Sequence, residues 1–415
     1  MSALAGGVVN WWSRRPTRTI DCDVGQRTFS LLVVVAVDAA LLTSVPGPLS
    51  ERLGVFGEPG ALWDGPFHWK GPHMSELELP AAAPARPFPP RVLTGDRPTG
   101  QMHLGHLFGT LLSRVRLQDD GIELMVLVAD YQTITDRDSP ASLPQDVEEL
   151  VADYLAVGID PRRATIFAHS QVPELNQLLL PFLSLVTLPE LLRNPTVKEE
   201  AAASGMTALN GLMLTYPVHQ AADILFCQAT LVPVGADQLP HVEQTRAIAR
   251  RFNRRYAPEQ PVFPEPEALL SDAPVLLGVD GKKMSKSRNN AIALAASADQ
   301  TARLIRRAKT DSNPNITYEP ESRPEVANLV LLTALCENAS PEQVALEIGS
   351  RGAAELKRRA IDAVNERLRP IREHRAELMS DRAYLRRILL DGSATARAIA
   401  QDTLRQVSAA IHTQY

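Results

Sequence analysis

The 415-residue chain is poor in cysteine, with only Cys22, Cys227 and Cys336. These residues are too far apart for a C-x-x-C motif, which argues against a disulfide framework, a structural zinc site and a cysteine-ligated iron–sulfur cluster. We therefore predict no metal site and a reducing, cytoplasmic location. An excess of positive charge is also missing, since 43 Lys and Arg stand against 48 Asp and Glu. A nucleic-acid partner would have to bind a local basic patch.

The overall composition is that of a globular protein. Hydrophobic residues make up 45% and charged residues 22% of the chain, which excludes a wholly disordered or collagen-like protein. At about 100–200 residues per domain, this length predicts two or three folding units.

Residues 1–90 differ from the rest, with 11 of the 32 prolines and a single lysine, Lys70. We predict no stable domain there. The apolar run Leu31–Leu42 follows several arginines, as in a membrane anchor, but it contains Asp38 and is shorter than the roughly 18 apolar residues of a spanning helix. We expect no membrane association. A disordered or non-native extension, with translation starting at Met74, is the other interpretation.

From residue 91 onward, strand-like and helix-like segments alternate, which is typical of a doubly wound, Rossmann-like α/β fold with a parallel sheet. The predicted strands are Arg91–Gly95, Glu123–Ala129, Ala164–Ala168 and Thr230–Val234. The predicted helices are His103–Gln118, Asp146–Val157, Glu174–Leu185 and Asp237–Tyr256. From Ser297 the pattern is helical and rich in arginine. The sequence therefore predicts an α/β domain at 91–296 and a helical domain at 297–415.

A candidate nucleotide site lies at the first turn, where TGDRPTG (94–100) precedes His103-Leu104-Gly105-His106. Glycines allow close backbone approach to a nucleotide, and a helix N-terminus offers free N–H groups to phosphate. His103 and His106 are three residues apart on one helical face, so both can donate to phosphate oxygens. The alternative interpretation is a helix cap with two surface histidines.

A second motif, KKMSKS (282–287), places three ammonium groups and two hydroxyls within six residues of a loop. Such a loop can close over a polyphosphate and neutralise the charge that builds on leaving pyrophosphate. It is not a Walker motif, because the required glycine is missing. A solvated charge run is the alternative.

Asp223 lies in the apolar run AADILF (221–226), where an unpaired carboxylate is costly, so it needs a hydrogen-bond donor. An indole N–H, which only donates, matches a carboxylate, which only accepts. A neighbouring side chain or a helix end is the alternative donor.

Together these motifs resemble those of class I aminoacyl-tRNA synthetases, with HLGH in place of HIGH and an unaltered KMSKS. Within that class the chain is similar to the tryptophanyl-tRNA synthetases, in runs such as DYLAVGIDP (153–161), QAADILF (220–226) and LVPVGADQ (231–238). The resemblance extends from about residue 91 to the C-terminus and is closer to the second bacterial type.

The resemblance implies ATP-dependent activation of L-tryptophan, with Mg²⁺, and transfer of the acyl group to the 2′-hydroxyl of the terminal adenosine of tRNA(Trp). It also implies a cytoplasmic homodimer. The catalytic residues it implies are His103, His106, Lys198, Lys283 and Lys286. The implied ATP-binding residues are Arg97, Gly105, Asp237, Lys282, Ser285 and Ser287. The implied tryptophan-binding residues are Gln132, Tyr216, Gln220, Asp223, Val232, Val234 and Gln238.

Three positions depart from common members of the family: Gln132 stands where histidine is frequent, Gln220 replaces methionine, and Arg97 replaces glutamine. These departures affect the fine geometry of the amino-acid pocket and leave the reaction class unchanged.

Residues 351–390 hold 11 Lys and Arg against 6 Asp and Glu, and they are the predicted anticodon-facing patch. An ordinary solvated helix face is the alternative. Two other functions stay open, a tyrosyl enzyme and a non-catalytic paralogue that senses tryptophan or binds RNA. Both motifs are intact, which argues against the paralogue.

Overall fold

A parallel five-stranded sheet forms the centre of the computed structural model, which describes residues 88–135, 142–198, 210–235, 238–270, 275–285 and 288–415. All of these residues belong to one unit of the chain, Trp69–Tyr415. The predictions made for residues 1–87 and for Asp237, Lys286 and Ser287 lie outside the described residues.

The strands run in the order β3-β2-β1-β4-β5, and each neighbouring pair is parallel. They are β1 (Arg91–Asp96), β2 (Glu123–Val128), β3 (Ala164–Ala168), β4 (Leu231–Val234) and β5 (Glu267–Leu270). The predicted Rossmann-like fold is confirmed, whereas β5, a short segment without β-branched residues, was not predicted. Chain order reverses between β1 and β4, and ligands of such sheets bind at the carboxyl ends of the strands beside that point.

Helices cover both faces of the sheet. They are α1 (Leu104–His106), α2 (Leu112–Asp119), α3 (Leu143–Val157), α4 (Glu174–Leu183), α5 (Leu188–Arg193), α6 (Gly211–Leu225), α7 (Leu239–Tyr256), α8 (Ala298–Arg306), α9 (Pro324–Glu337), α10 (Pro341–Ile348), α11 (Gly352–Ser380) and α12 (Arg382–Ala410). A π-helical segment, Leu107–Leu111, joins α1 to α2, so the predicted helix at 103–118 is one helical stretch of three parts.

The alternating side chains of β1 and β2 supply two hydrophobic cores. Val92 and Leu124 face one core and Leu93 and Met125 the other, because successive side chains of a strand point to opposite faces. Helices α9 and α11 contribute to the first core and α12 contributes to the second. The segments 91–296 and 297–415 therefore share both cores, and their division into two domains stays a prediction from the sequence pattern.

Helix α12 covers the edge strand β3 at very close range. A Cβ atom at Gly392 would lie 1.9 Å from the carbonyl oxygen of Ile166, so only glycine fits there. One residue later, the Ser393 hydroxyl accepts a hydrogen bond of 3.2 Å from the backbone N–H of Ala168. The helix thus pairs and shields an edge that would otherwise be open to association with other chains.

Replacing Gly392 with alanine is expected to lower the free energy of unfolding by about 3 kcal/mol, because the added methyl group meets backbone that must shift. Denaturant unfolding measures the change. Gly211→Ala is the matched control, since a Cβ atom there would meet nothing within 4 Å. An unfolding midpoint equal to that of the wild type would show that α12 does not pack this closely on β3.

Candidate active site

A cavity of about 330 Å³ lies at the carboxyl ends of β1, β2 and β4, beside the point where the strand order reverses. Its size is at the lower end of the range for small-molecule sites, about 300–1,000 Å³. The structure brings together in its lining all seven residues predicted to bind tryptophan, namely Gln132, Tyr216, Gln220, Asp223, Val232, Val234 and Gln238. The predicted ATP-binding residue Arg97 also lines it.

Helix α6 carries three of these residues on one face, because Tyr216, Gln220 and Asp223 follow one another at spacings of four and three. The Tyr216 hydroxyl lies 3.2 Å from Nε2 of His241 on α7, and both side chains are buried. His241 was not predicted as a site residue. Its sequence neighbours give no chemical motif, so only packing of α7 against α6 shows that it holds Tyr216.

Asp223 is the most unusual group of the cavity. It is only 1% exposed, and neither carboxylate oxygen has a hydrogen-bond donor among the residues that the structure describes. Nδ1 of His169 lies 3.2 Å from one oxygen but is not aligned as a hydrogen bond. Burial raises the pKa of Asp223 well above its usual value, and the negative charge of Asp130 adds to the effect. A buried acceptor of this kind indicates a missing donor, supplied by a ligand or by water.

His103 and His106 pack together at the start of α1, with ring centroids 3.8 Å apart. The backbone N–H of Gly105 donates to Nδ1 of His103 at 3.1 Å, and that of His103 donates to Nδ1 of His106 at 3.2 Å. In the neutral rings the proton is therefore on Nε2, which can donate to a ligand. His103 is indeed the helix cap of the alternative interpretation, but it is buried, so capping and ligand binding are compatible.

The two signature motifs lie side by side. The backbone N–H of Leu104 donates to the carbonyl of Ile292 at 3.0 Å, and that of Leu294 donates to the carbonyl of Met102 at 2.8 Å. A Cβ atom at Gly105 would lie 3.0 Å from the His103 ring and 3.6 Å from Sδ of Met284 in the KMSKS loop. A larger residue at position 105 would therefore press on the His103 ring, while its distance to Met284 would be an ordinary van der Waals contact.

Asn290 holds the KMSKS loop from inside and is 1% exposed. Its carbonyl oxygen accepts from the backbone N–H of Ser285 at 2.8 Å. Its amide donates to the carbonyl of Lys283 at 3.2 Å and to the Asp280 carboxylate at 2.7 Å. Sequence reasoning missed this residue, although an asparagine among charged loop residues is a signal of local hydrogen bonding. Lys282 and Lys283 are exposed on this loop.

A buried ionic network that the sequence did not predict borders the same cavity. Arg114, which is 2% exposed, donates to the Asp96 carboxylate at 2.5 Å, and the Tyr154 hydroxyl donates to the same oxygen at 2.8 Å. Burial alone would raise the pKa of Asp96, but the charge and hydrogen bonds of Arg114 outweigh it and lower that pKa. The network fixes the end of β1, directly before Arg97.

Lys198 is the last predicted site residue that the structure describes. It is exposed and does not line the cavity.

A cluster of possible metal ligands lies beside the cavity. His169, His219 and Asp223 place their ligand atoms within 4.8 Å of one another and could hold a metal ion, which nothing in their spacing had indicated. Among the described residues, every helix is too short or too polar to cross a membrane.

Comparison with known proteins agrees with this geometry. A sequence profile of the family described as "tRNA synthetases class I (W and Y)" matches residues 87–369. The chain is 44% identical over 328 residues to the tryptophan–tRNA ligase of Treponema pallidum (strain Nichols), covering 77% of this chain and 96% of that protein. It is 40% identical over 333 residues to the same ligase of Clostridium longisporum, with 78% and 97% covered.

The solved structures give the same result. The tryptophanyl-tRNA synthetase of Campylobacter jejuni complexed with ADP and tryptophan aligns with a TM-score of 0.68 at 30% identity, covering 78% of this chain and 99% of that one. A tyrosyl-tRNA synthetase from Archaeoglobus fulgidus, at 22% identity and a TM-score of 0.55, shares the fold. The chain therefore belongs to the class I tRNA synthetases of the tryptophan and tyrosine family, and its similarity is greatest to the tryptophan–tRNA ligases among these relatives.

Proposed function

We propose that the protein activates L-tryptophan with ATP and transfers it to tRNA(Trp). The observation that carries this proposal is the buried Asp223 carboxylate, which lines the cavity and has no hydrogen-bond donor among the described residues. The indole N–H of tryptophan supplies a donor, whereas phenylalanine has none. Val232 and Val234 offer apolar walls, and Tyr216 and Gln238 are the polar groups for the amino and carboxylate ends of the substrate.

In the first step the tryptophan carboxylate attacks the α-phosphate of ATP and pyrophosphate leaves. No general base is required, because a carboxylate is already ionised at neutral pH. Catalysis then consists of positioning and stabilisation of charge, through Nε2 of His103 and His106 and the ammonium groups of Lys283, Lys286 and Lys198. In the second step the 2′-hydroxyl of the terminal adenosine attacks the carbonyl carbon of the tryptophanyl adenylate, and AMP leaves.

The residues predicted at the phosphates are imidazoles, ammonium groups and hydroxyls, and they include no carboxylate, the protein ligand that Mg²⁺ prefers. Mg²⁺ would therefore enter with ATP and be held mainly by its phosphates, where it neutralises their charge. The histidines and lysines of this chain would bind phosphate oxygens directly.

Exchange of labelled pyrophosphate into ATP tests the proposal. We expect exchange that depends on tryptophan and is absent with tyrosine. Exchange that depends on tyrosine would instead support a tyrosyl enzyme. A protein that binds tryptophan without exchange would be a non-catalytic paralogue.

For tRNA, the structure shows that much of the predicted patch at 351–390 is engaged within the protein. Its arginines that pair with described acidic residues are Arg351, Arg358, Arg359, Arg369, Arg375, Arg382 and Arg386. Arg375 is largely buried, and Glu148, which pairs with Arg382 and Arg386, is buried too. Arg375, Arg382 and Arg386 therefore attach α11 and α12 to α3, and their charge is less available to RNA. The others include Arg351, Arg358 and Arg369, which pair with acidic residues three or four positions away and stay exposed.

A second group of cations is better placed for RNA. Arg303, Arg306, Arg307 and Lys309 are exposed at the end of α8, and none forms an ion pair with a described residue. The backbone N–H of Lys309 donates to the carbonyl of Val279 at 2.9 Å, which places this group beside the KMSKS segment. We include it in the tRNA-binding surface, together with the patch at 351–390.

The double variant Arg306→Glu and Arg307→Glu is expected to raise KM for tRNA about tenfold, since each lost phosphate contact weakens binding. Pyrophosphate exchange, which needs no tRNA, should not change. The double variant Arg254→Glu and Arg255→Glu on α7 is the control, since it alters the net charge by the same amount. An equal rise in KM for tRNA in both variants would show that α8 is not part of the tRNA-binding surface.

We also propose that the enzyme is a cytoplasmic homodimer, as the family resemblance implies. Exposed apolar side chains on α4 and α5 support a shared interface, because Leu180 is 76% and Leu188 is 56% exposed. Sedimentation of the wild type and of Leu180→Asp tests this. A wild-type monomer at micromolar concentration would contradict it.

A further inference from the structure

His169 is a buried histidine that neither motif predicted and that the proposed reaction has not used. Strand β3 ends at Ala168, and a 3₁₀ turn, His169–Gln171, carries the imidazole under the cavity. The ring is completely buried, and its Nδ1 lies 3.2 Å from Oδ1 of Asp223. The next residue, Ser170, is hydrogen-bonded through its backbone N–H to Asp130 at 3.0 Å, which fixes the turn.

The surroundings of His169 keep the ring neutral. Burial, together with the neighbouring His219, lowers the pKa of His169 to about 3. A neutral imidazole carries a single N–H, so the ring can donate one hydrogen bond and accept another. Neither ring nitrogen has a hydrogen-bond partner among the described residues, which leaves Nδ1 available to donate toward Asp223 after a small rotation.

His219 fixes the orientation of that ring. The two imidazoles stack with centroids 4.2 Å apart and planes inclined by 19°. Nε2 of His219 lies 3.0 Å from the amide oxygen of Asn176, which can only accept, so His219 carries its proton on Nε2. Helix α4, which carries Asn176, thereby holds His219, and His219 in turn holds the plane of His169.

The same three side chains could bind a metal ion, but their arrangement favours a hydrogen-bonded pair. Nitrogen lone pairs that bind one ion must converge on it, whereas those of nearly parallel stacked rings lie in nearly parallel planes. In addition, Nε2 of His219 is engaged by Asn176. We therefore infer that the two neutral rings orient the Asp223 carboxylate.

We propose that His169 is a positioning residue for substrate selection: it donates from Nδ1 to one oxygen of Asp223 and thereby directs the other oxygen at the indole N–H. This inference rests on the proposed function. A carboxylate held at one oxygen cannot rotate away from its ligand, and small misplacements of a recognition group are costly in rate. His169 and the stacked His219 thus determine how well the pocket distinguishes an N–H donor from an isosteric group.

The experiment compares tryptophan with β-(benzothiophen-3-yl)alanine, in which sulfur replaces the indole N–H at similar shape. The measured quantity is the ratio of kcat/KM for the two substrates in pyrophosphate exchange. His169→Leu should lower this ratio about 10- to 100-fold, through the tryptophan value alone, with KM for ATP unchanged. His169→Asn, which keeps an N–H close to the position of Nδ1, should retain most of the ratio.

The outcomes separate the two proposals. If Asp223→Asn leaves the ratio unchanged, the carboxylate does not read the indole and the proposed role of Asp223 fails. If Asp223→Asn lowers the ratio but His169→Leu keeps it, only the present inference fails. Equal losses for both substrates in His169→Leu would reveal a purely structural role and would also overturn the inference.

A measurement on the wild type is independent of whether a variant folds. In ¹H–¹⁵N spectra of histidine-labelled protein, tryptophan should bring out a hydrogen-bonded Nδ1–H signal, assigned to His169 by its absence in His169→Asn. The benzothiophene analogue should give a weaker shift. A His169 ring that carries its proton on Nε2 in the tryptophan complex would overturn the proposal.

Discussion

Replacing Lys286 with alanine is expected to lower kcat for tryptophan activation about 100-fold or more, with little change in KM for tryptophan. The reason is that charge builds on pyrophosphate as it leaves, so the ammonium group acts mainly in the transition state. The buried Asn290 holds the described part of this loop by accepting a hydrogen bond from the backbone N–H of Ser285.

Steady-state pyrophosphate exchange measures this effect. Lys309→Ala is the control, since Lys309 is exposed and lies outside the motif, and its loss should affect tRNA binding alone. Near wild-type exchange in Lys286→Ala would show that the loop does not stabilise the leaving group.

The second large effect concerns Asp223. Asp223→Asn keeps the size of the side chain but replaces a charged acceptor with a neutral amide, so kcat/KM for tryptophan should fall about 10- to 100-fold. ATP binding should not change. In the wild type, kcat/KM for phenylalanine should be about 10⁴ lower than for tryptophan, because phenylalanine has no N–H donor and leaves the buried carboxylate unpaired. An unchanged kcat/KM in Asp223→Asn would contradict this role.

The same substitution is expected to stabilise the protein in the absence of substrate. Because the pKa of Asp223 is raised on folding, the folded protein holds a proton that the unfolded chain releases. Stability from this group is therefore lost as pH rises through the raised pKa. Asp223→Asn removes that loss. The free energy of unfolding of the variant should exceed that of the wild type by about 1–3 kcal/mol, and this difference should be larger at pH 8 than at pH 5 in thermal or denaturant unfolding. A gain that does not depend on pH would show that the carboxyl group titrates normally.

Much of the sheet was predictable because local pattern and tertiary structure agree. β2 and β3 are apolar runs that a parallel sheet buries on both faces, and their boundaries differ from the prediction by one residue at most. β5 was missed since the segment EALL has no β-branched residue, and its pairing with β4 alone makes it a strand. Position within the sheet, and not propensity, determines such short elements.

The arginine-rich C-terminal segment shows what composition does not reveal when ion-pair partners are distant in sequence. The excess of positive charge at 351–390 predicted an RNA surface, yet Arg375 pairs with the buried Asp153 at 2.6 Å, 222 residues away. No local pattern shows that an arginine will meet a carboxylate across the fold. The exposed cations at the end of α8 are therefore proposed as a second part of the RNA surface, and the patch at 351–390 stays a prediction.

The sequence by itself determined the family, and it predicted the seven residues that the structure brings together in one cavity, because both depend on side-chain types within short runs of the chain. Only the tertiary structure showed which residues support the predicted site residues. They are His169 beside Asp223, His241 beside Tyr216, and Asn290 inside the KMSKS loop. His169 and His241 act through contacts between segments that are distant in sequence, whereas Asn290 acts within its own loop. Their roles follow from distance and burial, which the order of residues does not contain.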